Sequence, residues 1–461
     1  MRTTLMIFLS FLALAATPPR TIRVDYYHTA GPAEIFALDQ VVLEPLPWPG
    51  PPSCALDDSN LGKYFFEVVD QASGKAIFSR GFASICGEWE TTAEAKLMAR
   101  TFQESLRFPE PAAPVRVILK KRDPRNLFKE IWSFRLDPKD RLIQTAPPPK
   151  PGKLFEIQKS GDSDAKLDFL ILGDGYTEKE LPKFEKDARR LAELLFQQSP
   201  FKEQRSDFNV WALCPPAMAS GISRPSTGVQ RRSPLGCTYD AFGSERYVLT
   251  FENKAWRDVA CWAPYEFVEI LVNGETYGGG GIFGLYGTVA ADNAYAPYVF
   301  VHEFGHHIAG LADEYYTSDV AYETGQERLE PWEPNVTANP KQPKWAALLS
   351  LGVPLPTPWK KKAFEEHSYA AKAKRNRIRA ENRPEAEMDA HFKAQEEFET
   401  HLLGTDTHSG KVGAFEGANY EATGYFRSQE DCIMFSRDKV PFCAACRAAI
   451  EKVIRLYAPG R

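Results

Sequence analysis

Val301-His302-Glu303-Phe304-Gly305-His306-His307-Ile308-Ala309-Gly310-Leu311-Ala312-Asp313 is the stretch from which the rest of the chain is read. It contains an HExxH pattern. In an α-helix, residues i and i+4 stand about 40° apart around the axis and about 6 Å apart along it. His302 and His306 can therefore close on one tetrahedral ion such as Zn²⁺. Glu303, roughly 100° further round, reaches a water on that ion without ligating it. A pattern with so few fixed positions also arises by chance, so its flanks decide. Upstream, Asn293-Ala294-Tyr295-Ala296-Pro297 suits a helix start, because a proline in the first turn has no needed N–H to lose. Phe300, Phe304, Ile308 and Leu311 recur at helical spacing and predict a buried face that excludes the two histidines. Gly310 predicts the stop, since glycine enters the left-handed region cheaply. His307 points away from the 302/306 face and reads as a satisfied surface or supporting histidine. The competing reading is a core helix with a polar edge and no metal. The proline start, the glycine stop and the trailing carboxylate weigh against it.

Two histidines leave a zinc site short of a ligand. Here the stretch is similar to the metzincin peptidases, which turn the chain at a glycine and supply a His or Asp three residues later. Gly310-Leu311-Ala312-Asp313 keeps that step. Both members are displaced by one residue from the usual register, whose slots fall on Ala309 and Ala312. Alanine cannot bind a metal, so Asp313 is the preferred third ligand. Glu327 or Glu330 from a following segment, or the adjacent Glu314, stays open as the alternative.

Arg2, the apolar run from Leu5 to Leu14 and the small residues of Ala13-Leu14-Ala15 read as a secretory signal over residues 1–16. That run is short for a bilayer span, and no other long apolar stretch follows. The mature chain is expected to be secreted or periplasmic, with no integral membrane segment. With 56 basic against 61 acidic residues, the net charge of −5 gives no basis for a nucleic-acid partner. The eight cysteines fall in three groups: Cys54 and Cys86; Cys214, Cys237 and Cys261; Cys432, Cys443 and Cys446. In an oxidising compartment they predict disulfides. If all are oxidised and the first two pair together, at least one bridge joins the middle group to the last. Cys443-Ala444-Ala445-Cys446 also has a redox or zinc-knuckle reading, which is weak without a second pair or a nearby histidine.

The chain is long enough for two or three domains. Pro147-Pro148-Pro149-Lys150-Pro151-Gly152 marks a stiff linker over residues 145–153. Before it, residues 20–144 carry strand-like runs: Thr21 to Tyr27, Tyr64 to Val69, Ala76 to Phe82, Val115 to Lys120 and Phe128 to Arg135. Turn residues at short intervals suggest a β-sandwich. After it, residues 154–461 form the domain with the HExxH helix. Leu167 to Leu172 predicts a buried strand, and Thr177 with Glu180 a capping box for a helix running to about Gln198. Asp174 reads as a turn residue. Phe267 to Val272 predicts another strand. Gly278 to Gly281 then opens a flexible passage, or an exposed strand able to pair with an extended substrate. The Lys, Arg, Glu and Ala of residues 356–402 read as a solvated helical insertion.

Several stretches together resemble the IgA-peptidase family of bacterial zinc metallopeptidases. They are Asp168 to Thr177 (DFLILGDGYT), His302 to Tyr315 (HEFGHHIAGLADEY), Gly413 to Tyr425 (GAFEGANYEATGY), and Cys432 to Phe435 with Phe442 to Cys446. The N-terminal part resembles the same family through Phe78-Ser79-Arg80-Gly81-Phe82 and Gly87-Glu88-Trp89-Glu90. The resemblance implies an α/β (α+β) metzincin-like zinc peptidase domain preceded by an all-β sandwich domain. It also implies Met434 as a methionine turn beneath the metal, and a protein or peptide substrate. It does not imply that immunoglobulin A is that substrate. In such a site His302, His306 and Asp313 hold Zn²⁺ and Glu303 is the general base. A further donor to the oxyanion comes from Tyr315, Tyr316, Tyr420 or Tyr425. An exported binding protein with a structural metal site, or a zinc amidase acting on cell-wall peptides, remains the alternative.

Overall fold

The computed structural model describes residues 18–318 and 328–459. The expected secretory signal therefore lies outside the described residues. The first strands are β1 (Arg20–Ala30), β2 (Ile35–Pro47), β3 (Tyr64–Asp70), β4 (Ala76–Phe82), β5 (Arg100–Pro109), β6 (Val115–Arg122) and β7 (Phe128–Leu136), with the short helix α1 (Ile85–Trp89) between β4 and β5. They make two antiparallel sheets, ordered β2-β1-β5 and β4-β3-β6-β7. In β3, Tyr64, Phe66 and Val68 are buried while their neighbours are less so, the period of two of a strand with one face on a core. They share one apolar cluster with Ile22, Val24 and Tyr26 of β1 and Leu106 and Phe108 of β5, so the inner faces of the two sheets meet.

Two of these strands, β2 and β5, are absent from the sequence expectation. A register shift opposite Asp25 and Tyr26 breaks the alternation of β2. In β5 the charged Glu104, 3.2 Å from His28 Nδ1, interrupts the buried row of Phe102, Leu106 and Phe108, and a second charged residue, Arg107, stands on the opposite face. Arg107 is held by Glu44 through Nε (3.2 Å) and Nη2 (2.8 Å), donates from Nη1 to Tyr265 O at 3.2 Å, and covers the Tyr265 ring at 3.7 Å. The outer face of this sheet is buried against the second half of the chain, and paired ions take the place of a hydrophobic stripe there.

The second half is built on β8 (Leu154–Gln158), β9 (Leu167–Asp174), helix α2 (Leu181–Leu195), β10 (Phe208–Leu213), the short pair β11 (Cys237–Thr238) and β12 (Leu249–Thr250), α3 (Asn253–Ala260), β13 (Phe267–Val272), β14 (Gly279–Ile282), β15 (Tyr286–Ala290) and α4 (Ala296–Ala309). One six-stranded sheet runs β14-β15-β13-β9-β10-β8. Its four inner strands are parallel and its two edges antiparallel. The runs Leu167–Asp174, Phe267–Val272 and Tyr286–Ala290 are buried throughout, because both faces of the parallel part are covered. The capping box of Thr177 and Glu180 is present and leads into α2. Asp174 has a structural role: its carboxylate accepts from Ser233 Oγ (2.7 Å) and from the N–H groups of Leu235 and Cys237 (3.1 and 2.9 Å).

The glycine run is not a flexible passage. Gly279–Ile282 is the edge strand β14, and α4 packs directly on β14 and β15. A Cβ on Gly281 would stand 2.4 Å from Glu303 O and 2.9 Å from His306 Cβ; one on Gly279 would stand 2.5 Å from Val299 Cγ1. Glycine is what lets the helix lie this close to the strand. Gly281→Ala is expected to lift α4 from the sheet and to lower stability by about 1–3 kcal/mol, read from urea unfolding. An unchanged midpoint would show that the helix yields freely.

The remaining elements are β16 (Val336–Thr337), α5 (Lys361–Ala380), α6 (Glu385–Gly404), β17 (Phe415–Ala418), β18 (Glu421–Arg427) and α7 (Ala444–Tyr457). β16, β18 and β17 form a small antiparallel sheet, and α7 packs on α4. The charged segment folds as the pair α5 and α6 and is more than solvated surface. Arg379 bridges Glu245 and Glu385, Glu385 accepts from Tyr277 N–H at 3.1 Å, and Phe392 meets Tyr277 and Tyr295 edge-on.

The expected disulfides are absent: none of the eight cysteines is bonded to another. The last group does not reach the middle one because Cys432, Cys443 and Cys446 gather on each other around Glu314. Even there, Cys432 Sγ and Cys446 Sγ stand 3.9 Å apart, well beyond the roughly 2.05 Å of a disulfide. Among the described residues no helix is long and apolar enough to cross a membrane.

Candidate metal centre

Helix α4 begins with a proline in its first turn, buries Phe300, Phe304 and Ile308, and ends at Gly310, whose φ of 58° is left-handed. The Gly310 N–H caps His306 O at 2.9 Å. A Cβ there would meet the Trp332 ring at 2.5 Å, so the stop is fixed by packing as well as by φ. The chain then turns back and brings Asp313 beside the two histidines.

Three ligand atoms converge. His302 Nε2 lies 3.1 Å from His306 Nε2, and Asp313 Oδ1 lies 3.0 Å from the first and 3.3 Å from the second. A tetrahedral zinc ion with bonds of about 2.0–2.1 Å spaces such atoms about 3.3 Å apart. The outer nitrogens fix the tautomers. His302 Nδ1 donates to Ile433 O at 2.9 Å and His306 Nδ1 to Leu311 O at 2.5 Å. Both Nε2 lone pairs are thereby turned toward each other and toward a carboxylate, an arrangement that repels itself unless a cation fills it. The residues fit a zinc ion. Asp313 is positioned from behind: Tyr420 Oη donates to its Oδ2, and Asn419 N–H to its backbone carbonyl at 2.9 Å. Asn419 and Tyr420 both hold left-handed φ, 52° and 64°, in the turn between β17 and β18. For a tyrosine that conformation is strained, and the strain presents its hydroxyl to Asp313.

Glu303 lines the same cleft without joining the three ligand atoms. Burial pushes its carboxyl above the usual carboxylate range, against the pull of His302 and His306. Met434 is fully buried, its sulfur 3.2 Å from where a Cβ on Gly305 would stand, so it forms a floor under the helix. The cleft holds about 580 Å³. One side is β14, another the Tyr420 turn, and Lys63, Glu88 and Arg122 of the N-terminal half contribute a third.

The four tyrosines separate. Tyr315 stacks on His302 with ring centres 6.3 Å apart, and its hydroxyl accepts from Arg246 Nη2 at 2.9 Å. Tyr420 is engaged with Asp313. Tyr425 lines the cleft but donates to Leu329 O at 2.9 Å. Tyr316 faces away, packed on Phe364 and Phe435, because consecutive residues of the extended segment after Asp313 point to opposite sides. It is not part of the cleft. Among the rival ligands, Glu330 is occupied by Thr337, Ala338 N–H and Lys344. Glu314 turns to the cysteines, and Glu327 lies outside the described residues. His307 is a core residue, not a surface one: its Nδ1 donates to Ile282 O at 3.0 Å and its Nε2 accepts from Val268 N–H at 2.9 Å, joining α4 to the sheet.

Two neighbours escaped the sequence reading. Tyr298, one turn before His302, places its hydroxyl 3.2 Å from His302 Nδ1; the i, i+4 spacing could have found it. Arg246, which meets Tyr315, comes from a loop with no local pattern to mark it.

The architecture is mixed α+β, with three residues able to hold a metal ion at the edge of its main sheet. The family model described as IgA Peptidase M64 matches residues 155–454, and that of the Peptidase M64 N-terminus matches residues 15–133. The chain belongs to the IgA peptidase M64 family and is a peptidase. No curated protein matches it.

Proposed function

We propose that the protein is an exported zinc-dependent endopeptidase, with a metzincin-like catalytic domain over residues 154–461 and an N-terminal sandwich over residues 20–144. The observation that supports this most is the triangle of His302, His306 and Asp313 facing an open cleft with Glu303 at its rim. When bound there, a zinc ion supplies a Lewis acid that acidifies a water and polarises the scissile carbonyl. Glu303 takes the proton of the attacking water and delivers it to the leaving amine. A raised carboxyl suits both halves of that transfer. Tyr315, held by Arg246, is the nearest candidate for donating to the developing oxyanion. On the edge strand β14 the outward groups of Gly279 are taken by Arg246 O and Val248 N–H, which leaves those of Gly281 for an extended substrate, and the wall supplied by Lys63, Glu88 and Arg122 gives the N-terminal part a share in substrate contact.

Incubating the purified chain with a denatured protein mixture tests the reading. Cleavage is expected to stop on treatment with a chelator and to return with one added equivalent of zinc. Cleavage indifferent to chelation would overturn it.

A further inference from the structure

A second cluster, beneath the first, has no place in the proposed reaction. Glu314, Cys432, Cys443 and Cys446 bring one carboxylate oxygen and three sulfurs within 4.8 Å of one another, all four residues buried. They come from three segments of the backbone. Glu314 follows Asp313, Cys432 stands two residues before Met434, Cys443 is the N-cap of α7, and Cys446 lies in its first turn.

The spacing is that of a coordination shell. Cys432 Sγ and Cys446 Sγ are 3.9 Å apart, and Glu314 Oε1 lies 3.5 Å from both Cys443 Sγ and Cys446 Sγ. Tetrahedral zinc, with bonds of about 2.3 Å to sulfur and about 2.0 Å to oxygen, sets sulfurs about 3.8 Å apart and sulfur about 3.5 Å from oxygen. A disulfide would need less than two-thirds of that sulfur separation.

Two of the three sulfurs, those of Cys432 and Cys443, receive hydrogen-bond donors. The N–H groups of Cys443 and Met434 point at Cys432 Sγ at 3.1 and 3.5 Å. Cys446 N–H and Ser428 Oγ point at Cys443 Sγ at 3.5 and 3.0 Å. Donors converging on sulfur favour its charged form. Glu314 Oε1 accepts from Asn335 Nδ2 at 3.0 Å, while Oε2 is buried with no hydrogen-bond partner among the described residues. A buried carboxylate set among three sulfurs is costly unless a cation sits between them.

We propose that Glu314, Cys432, Cys443 and Cys446 hold a second, structural zinc ion. Four protein ligands and complete burial close the site to substrate, and a sulfur-rich set favours zinc over magnesium or calcium. The ion would be a clamp for the first site. Glu314 N–H donates to Met434 O at 2.8 Å, and the neighbouring Ile433 O receives His302 Nδ1. One ion therefore fastens the segment carrying Asp313, the turn that orients His302, and the start of α7.

Metal and protein are quantified in the purified full chain. Two zinc ions per chain are expected in the wild type, and one in the His302→Ala/His306→Ala variant. Cobalt loaded into either protein should show thiolate-to-cobalt charge-transfer absorption, which a His-His-Asp site cannot produce. Cys443→Ser/Cys446→Ser should lose that absorption and one equivalent of metal. If it does not fold, the wild-type cobalt spectrum still decides. The proposal is overturned by a metal-free double-histidine variant, by cobalt protein without thiolate absorption, or by a disulfide among the three cysteines in the mass spectrum of the purified chain. These readouts do not use peptide cleavage, so failure here and failure of the peptidase reading are distinct results.

Discussion

Glu303→Gln is expected to keep its metal and to lose cleavage activity by roughly 10²- to 10⁴-fold, the usual weight of a positioned general base. The reasoning is geometric first. Glu303 shares a helix with His302 and His306 but does not supply one of the three converging atoms, so its amide should leave the cluster intact. Glutamine has the same shape and can still hydrogen-bond to a water. It cannot accept a proton and hand it on. The loss should therefore fall on kcat and on kcat/KM alike, with KM little moved. Zinc content and melting temperature, measured on the same preparation, separate this outcome from a damaged fold. A variant that cleaves at the wild-type rate would remove Glu303 from the chemistry. A variant that loses zinc would show that the carboxylate supports the cluster.

How far the sequence leads depends on whether a residue's partner is near it in the chain. The α4 helix, its proline start, its glycine stop and both histidines are local features, and each stands where helical spacing puts it. The fully buried strands Leu167–Asp174 and Phe267–Val272 were legible for the same reason, as short apolar runs bounded by turn residues. The family resemblance read from the two N-terminal motifs and the four later ones agrees with the matches over residues 15–133 and 155–454. What escaped depends on long-range contacts. β5 hides because Glu104, within its buried row, is paired with His28, and Arg107 on its other face with Glu44 and Tyr265, residues far away in the chain. The glycines of β14 look flexible until α4 is seen lying on them. The cysteines suggest bridges by count, yet three of them turn inward to a glutamate whose proximity no spacing rule reveals. Tyr316 and Tyr315 are adjacent, and only the direction of the backbone separates the one in the cleft from the one in the core.

Asp313→Ala should abolish cleavage and lower zinc affinity far more than any change behind the ligands. Three groups define the triangle, and the two imidazoles are already locked by Ile433 O and Leu311 O, so they cannot swing to compensate. Among the described residues, the rival carboxylates are held elsewhere: Glu330 is engaged with Thr337, Ala338 and Lys344, and Glu314 faces the cysteines. Tyr420→Phe supplies the scale. It removes only the hydroxyl that donates to Asp313 Oδ2, and loss of such a supporting hydrogen bond typically weakens metal binding by about 10- to 100-fold. Competition against a chromophoric chelator should therefore rank zinc affinity as wild type, then Tyr420→Phe, then Asp313→Ala, with the last beyond the range of the second. Tyr420→Phe should also relieve little of the turn strain, because phenylalanine is no more at ease than tyrosine at a φ of 64°. Should Asp313→Ala bind zinc as tightly as the wild type, the third ligand lies elsewhere, and the displaced glycine-to-aspartate step has been misread.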